Sequence, residues 1–111
     1  MKLRLGIIGY PIGHSISPIF QQAALDYHSL NIRYQAWEVT PENLHHFIRT
    51  IRGPDILGCN VTVPHKETVL EWLDYVDPWA TNVGAVNTIV NQEGKLSGYN
   101  TDSYGFLRAL K

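Results

Sequence analysis

Excess charge of one sign, paired cysteines and long hydrophobic runs are all missing from this 111-residue chain, and each absence removes a class of function. Nine lysines and arginines face ten aspartates and glutamates, for a formal net charge of −1. With no basic stripe and no acidic tail, neither nucleic acid nor an anionic membrane is a partner that the composition supports. The single cysteine, Cys59, has no intramolecular partner, which fits a reducing, cytoplasmic setting better than a disulfide-stapled one. It sits in an apolar run and reads as a buried strand residue. No apolar run approaches the ~18 residues of a membrane span, and the Met1 to Gly13 stretch is too short in apolar residues for a signal peptide. Gly6, Gly9 and Gly13 do not form the dinucleotide fingerprint, and no G-x-x-x-x-G-K-[ST] loop occurs. Metal ligands are thin as well: His14 lacks a partner at ligand spacing, and His45–His46 lacks a third ligand.

What is present is a globular balance, 44% hydrophobic against 17% charged, which suffices for one domain with its own core. Apolar β-prone runs alternate with helical ones. Leu3 to Gly9 reads as a buried strand, followed by a Gly- and Pro-rich turn. From Pro18 the apolar residues Ile19, Phe20, Ala23, Ala24, Tyr27 and Leu30 recur at helical spacing. Arg33 to Val39 alternates as a second strand. Thr40 is the expected N-cap of a helix with Pro41 at its first position, lined by Leu44, Phe47, Ile48 and Ile51 and stopped at Gly53-Pro54. Ile56 to Val63 is a third strand, running into a helix that Pro64 would open and Val69, Leu70 and Leu73 would line. Asp77-Pro78 breaks that helix, and a short helical piece follows to Val83. Ala85 to Val90 and Lys95 to Tyr99 read as strands joined by Asn91-Gln92-Glu93-Gly94. A last helix opens at Asp102 and shows an apolar face in Phe106, Leu107 and Leu110. The order predicts a three-layer α-β-α domain with a mostly parallel sheet and a late antiparallel hairpin. The end at Lys111 is expected to be a cut at a domain boundary.

Every polar cluster falls where a strand end feeds a loop, the usual ligand position of an α/β sheet. Lys66 is expected in the first turn of its helix, where the dipole disfavours a cation by up to ~1 kcal/mol and makes its proton easier to release, as acid–base chemistry needs. A solvated lysine tolerating that small cost is the plain alternative. Ser17 has an ordinary use as an N-cap before Pro18, but Ser15 is not needed for capping; two hydroxyls beside helix N–H groups suit a carboxylate. Asn60 and Thr62 share one side of their strand, and Thr62 would also serve as a cap. Asn87, in an apolar run, is either a satisfied core amide or a ligand contact. Asp102 is either an N-cap or a carboxylate that orients Lys66.

The motifs G-Y-P-I-G-H-S-I-S-P, N-V-T-V-P-H-K, G-A-V-N-T and G-Y-N-T-D occur in this order, and together they resemble the N-terminal half of shikimate dehydrogenase. The resemblance spans residues 6 to 106. It implies NADP-dependent, reversible reduction of 3-dehydroshikimate to shikimate. Ser15 and Ser17 would bind the substrate carboxylate. Asn60, Thr62 and Asn87 would bind ring hydroxyls, with Thr101 contacting the ring or shaping the loop. Lys66 and Asp102 would form the catalytic pair. It also implies that residues 1–111 are the substrate-binding domain, and that NADP is held by a C-terminal Rossmann domain of the same full-length protein, absent from this chain. The face meant for that domain is a surface through which a homodimer could form. Two other readings stay open: a stand-alone hydroxy-carboxylate binding module, and half of a quinate/shikimate dehydrogenase.

Overall fold

A computed structural model of the chain describes residues 3–10, 22, 26, 31–62 and 64–101. Among the described residues six strands make one sheet: β1 (Leu3–Gly9), β2 (Ile32–Glu38), β3 (Ile56–Val61), β4 (Tyr75–Val76), β5 (Thr88–Gln92) and β6 (Lys95–Tyr99). The helices described from end to end are α1 (Leu44–Thr50) and α2 (Pro78–Val83), with short 3-10 segments at Pro41–Asn43 and Thr68–Trp72. In space the strands run β2-β1-β3-β5-β6-β4. β1 pairs in parallel with β2 and β3, and β4 in parallel with β6, while β5 is antiparallel to both of its neighbours. One reversed strand in six is the mixed, mostly parallel α/β sheet with a late hairpin that the sequence predicts.

Binary patterning decides which face is packed. Ile8 on β1, Cys59 and Val61 on β3, Ile89 on β5 and Leu96 on β6 join Leu44, Ile48 and Ile51 of the α1 stripe in one core, completed by Val69, Ala80 and Val86. Period two sends the alternate residues to the other face, where register aligns Tyr34 with Leu5, and Ile7 with Asn60. Of the helix expected from Pro18 only Gln22 and Asp26 are described, and both are helical; the helix expected from Asp102 lies outside the described residues. Among the described residues no helix is long and apolar enough to cross a membrane.

The turns follow local chemistry. Asp77 caps α2 by accepting the Trp79 N–H at 3.0 Å, Pro78 takes the first position, and Gly84 closes the helix at φ 80°. The β5–β6 hairpin turns on Glu93 and Gly94, at φ 56° and 88°, the two positive values that a type I′ turn requires. β5 therefore ends later than expected, at Gln92, and it also begins later, at Thr88. Thr40 stands at the helix entry but makes no side-chain cap, because the chain enters through a 3-10 turn before α1. β3 ends at Val61, short of Val63.

The larger difference concerns Lys66. No α-helix opens at Pro64: residues 64–67 form turns and bends, and a 3-10 segment follows from Thr68. Both flanks are fixed, by β3 on one side and by β4 against β6 on the other. The Thr62 carbonyl accepts the His65 N–H at 3.1 Å, closing a tight turn in place of a helical start. Without an α-helical first turn, the dipole argument for Lys66 loses its basis, and so does the reading of Thr62 as a cap.

Candidate functional site

Because β5 runs against β3, its start lies at the same end of the sheet as the finish of β1 and β3. Asn60 pairs with Thr88, and Thr88 with Tyr99. Backbone bonds bring the loops there together. Thr62 N–H donates to the Ile8 carbonyl at 2.9 Å, Val61 N–H to the Asn87 carbonyl at 2.8 Å, and Val86 N–H to the Lys66 carbonyl at 2.8 Å. Asn87 N–H in turn donates to the Tyr99 carbonyl at 3.0 Å. Asn60, Thr62, Lys66, Asn87 and Thr101 thus gather at the carboxyl ends of the parallel strands, where open α/β sheets keep their ligands. Ser15, Ser17 and Asp102 lie outside the described residues.

The side chains have definite settings. The Asn87 amide oxygen accepts from Thr101 N–H at 2.9 Å, from the Thr101 hydroxyl at 3.0 Å and from the Thr88 hydroxyl at 3.0 Å. Three donors on one oxygen fix the plane of the amide and turn its NH2 end away from them. Asn60 is half-buried, and its amide oxygen accepts the Tyr34 phenol at 2.6 Å. Lys66 is half-buried too. The ion pairs among the described residues, Arg4–Asp55 and Arg52–Asp74, lie at the other end of the sheet and leave Lys66 out.

Several contributors escape the sequence reading. His65 is 1% exposed, and its Nε2 lies 2.5 Å from the Val39 carbonyl, pinning the turn that carries Lys66 to the end of β2. Asn100 is buried and donates to the Ala85 carbonyl at 3.3 Å, holding the loops that bear Asn87 and Thr101 together. Tyr34 and Thr88 set the two asparagines. Of these only Tyr34 had a sequence signal: the alternation of β2 puts it on the face that register gives to Asn60. His45 stacks on Trp72 at 4.9 Å, the place of an ordinary surface histidine. Cys59 is no nucleophile, since burial pushes its thiol up to about 12.

Among the described residues, two of the hollows adjoin the sheet. One of about 180 Å³ is lined by Leu5, Tyr34, Asn60, Thr88 and Val90 among others, beside the gathered polar groups. A larger one of about 460 Å³ lies at the opposite end, against Arg52, Asn91 and Gly94. Arg52 and Asn91 of the larger hollow are engaged in structural bonds. Arg52 donates to Asp74, to the Gly94 carbonyl and to the Trp72 carbonyl, and Asn91 to three backbone carbonyls. The Leu96 N–H, foremost, and then Arg52 hold the Asp74 carboxyl below its ordinary range. Size alone therefore does not mark the functional end.

Fold and site together define an α/β domain that collects amides, hydroxyls and a lysine at the carboxyl ends of its parallel strands. The model of the shikimate dehydrogenase substrate binding domain matches residues 7–89. The chain belongs to that family. A shikimate dehydrogenase (NADP(+)) of Dehalococcoides mccartyi is 50% identical over 106 residues, covering 96% of this chain and 37% of that protein. Among solved structures, shikimate 5-dehydrogenase of Thermus thermophilus, in complex with NADP(H) and shikimate, superposes with a TM-score of 0.88 at 42% identity, over 97% of this chain and 41% of that one. A 5-ketofructose reductase from a Gluconobacter species superposes at 0.90 with 31% identity, over 99% of this chain and 40% of that one. The chain spans about two fifths of the length of the curated relatives it matches.

Proposed function

We propose that this chain supplies the substrate site and acid–base pair of an NADP-dependent shikimate dehydrogenase, which reversibly reduces 3-dehydroshikimate to shikimate. The observation that carries this is the convergence of Asn60, Thr62, Lys66, Asn87 and Thr101 on one end of the sheet in a member of this family. Ser15 and Ser17 take the carboxylate. Asn60, Thr62 and Asn87 take ring hydroxyls, with Thr101 fixing Asn87. Lys66 exchanges the proton at the oxygen that becomes the 3-keto group, and Asp102 orients its ammonium. The case for Lys66 now rests on its place among these groups and not on a helix dipole.

NADP(H), when bound, supplies or takes the hydride. In this reading the cofactor is held mainly by a second, Rossmann domain of the full-length protein, in keeping with a chain that spans about two fifths of its relatives' length. This chain's part is to bind and orient the substrate and to hold the proton. The cytoplasm is the proposed location, in keeping with a buried free thiol at Cys59.

The test has two arms. NMR titration of the chain with shikimate is expected to shift Asn60, Thr62 and Asn87; no shift there at saturating ligand refutes the site. In the full-length protein, Lys66→Ala should lower kcat by at least ~100-fold, the scale of a lost general acid–base, while shikimate binding changes only a few-fold. Unchanged turnover would refute the role. The likeness to a 5-ketofructose reductase favours a second reading, another polyhydroxy ketone as substrate, at the lower identity of 31%. Parallel titration with shikimate, quinate and 5-ketofructose separates the three.

A further inference from the structure

Asn60 meets the site with its amide already turned. Its oxygen accepts the phenolic O–H of Tyr34 at 2.6 Å, although the two residues stand on strands separated by β1. Register aligns Tyr34 with Leu5, whereas Asn60 aligns with Ile7, so the ring crosses β1 and leans toward the carboxyl ends. Tyr34 is itself held: it is 7% exposed, and its backbone N–H donates to the Gln22 side-chain oxygen at 2.7 Å. An asparagine amide has one accepting end and one donating end, of nearly equal shape. With the accepting end taken by the phenol, Nδ2 is the end left for a ligand, and it has no hydrogen-bond partner among the described residues.

We propose that Tyr34 is a positioning residue of the substrate site: by holding the Asn60 oxygen it fixes which way that amide is turned and presents Nδ2, so the site reads a ligand oxygen there as an acceptor. This rests on the function proposed above. It extends the site to β2, and it gives the tyrosine there a use beyond filling space. A phenol placed only for packing would serve equally well as phenylalanine, and its loss would be felt whether or not Asn60 were present.

The experiment is a double-mutant cycle in the full-length protein, with Tyr34→Phe, Asn60→Ala and the pair, reading shikimate KM and kcat with NADP alongside thermal melting. Tyr34→Phe is expected to raise KM about five- to tenfold with kcat within about twofold, as for loss of one oriented ground-state hydrogen bond. Asn60→Ala should raise KM at least as much, and the pair should be no worse than Asn60→Ala alone. If Tyr34→Phe raises KM by the same factor in both backgrounds, or not at all, the positioning role is overturned. A general loss of stability appears equally in both backgrounds and cancels in the cycle. Failure of the unsubstituted protein to turn over shikimate would overturn the underlying functional reading, and it shows before any substitution is made.

Discussion

Asn91→Ala is the substitution with the largest consequence that the described residues define away from the site. Asn91 lies half-buried on β5, and its Nδ2 donates to the carbonyls of Ile51 at 3.0 Å, Gly53 at 3.0 Å and Ile56 at 2.8 Å. Its oxygen accepts the Gly94 N–H at 3.0 Å. One side chain therefore ties the end of α1, the loop into β3 and the hairpin turn together. Two protons shared by three carbonyls, plus one accepted bond, amount to about three hydrogen bonds. At roughly 1 kcal/mol each, their removal costs about 3 kcal/mol, a large part of the ~5–15 kcal/mol that holds a domain folded. In urea that is a midpoint shift on the order of 1–2 M for a chain of this size. Asn91→Asp sharpens the test, because it keeps the acceptor for Gly94 but sets a carboxylate against three carbonyl oxygens. Its folded-state acid should titrate above the unfolded one, so the variant should be the less stable of the two at neutral pH. As pH falls toward the ordinary carboxylate range of about 4, protonation should bring it back toward or above Asn91→Ala. A midpoint shift below ~0.3 M for Asn91→Ala would refute the tie.

Three further outcomes are expected. Gly58→Ala would drive its Cβ into the Ile89 carbonyl oxygen, a backbone atom of the paired strand, so β3 and β5 must part; a loss of more than about 2 kcal/mol by urea denaturation is expected. Asp74→Asn should lower Tm at pH 7. Because the native carboxyl titrates below its ordinary value of 3.8, that advantage is complete above this value and lost as pH falls through the native one, so melting curves of the two proteins should converge in strong acid. Cys59 should resist a thiol reagent at pH 8 while the protein is folded and react at once in denaturant, since burial pushes its thiol up to about 12; fast labelling of the native protein would contradict its burial.

The strands were legible where alternation and turn chemistry agreed. Leu3–Gly9 and Lys95–Tyr99 fall where the apolar runs place them, and Pro78–Val83 follows from Asp77, Pro78 and Gly84. The Pro64 segment was misread because Val69, Leu70 and Leu73 carry a helical period that only one tertiary setting can use. Val69 is fully buried, His65 is bonded to Val39, and Arg52 takes the Trp72 carbonyl, so long-range contacts fix a shorter path than propensity suggests. β4 has two residues and no alternation to betray it. At the site, the polar residues themselves could be read, because they cluster where strands feed loops and because asparagine is depleted inside strands, as at Asn87. Most of their bonds could not: Tyr34, His65 and Asn100 act through partners 15 to 26 residues away in sequence. Nothing in a local window announces such a partner.

Gln22 deserves a last consideration, for what it denies to other molecules. Its amide nitrogen donates to the Ile32 carbonyl at 3.1 Å and to Asp26 at 3.0 Å, while its oxygen accepts the Tyr34 N–H at 2.7 Å. Among the described residues β2 is a border strand, and these are two of the backbone groups that another strand would use there. The side chain thus impersonates a peptide unit at the start of that border. At the far border β4 runs for only two residues, too short to recruit a companion. A sheet whose one margin is occupied at its start in this way and whose other is cut short offers less to the edge-to-edge growth that threatens any unprotected strand.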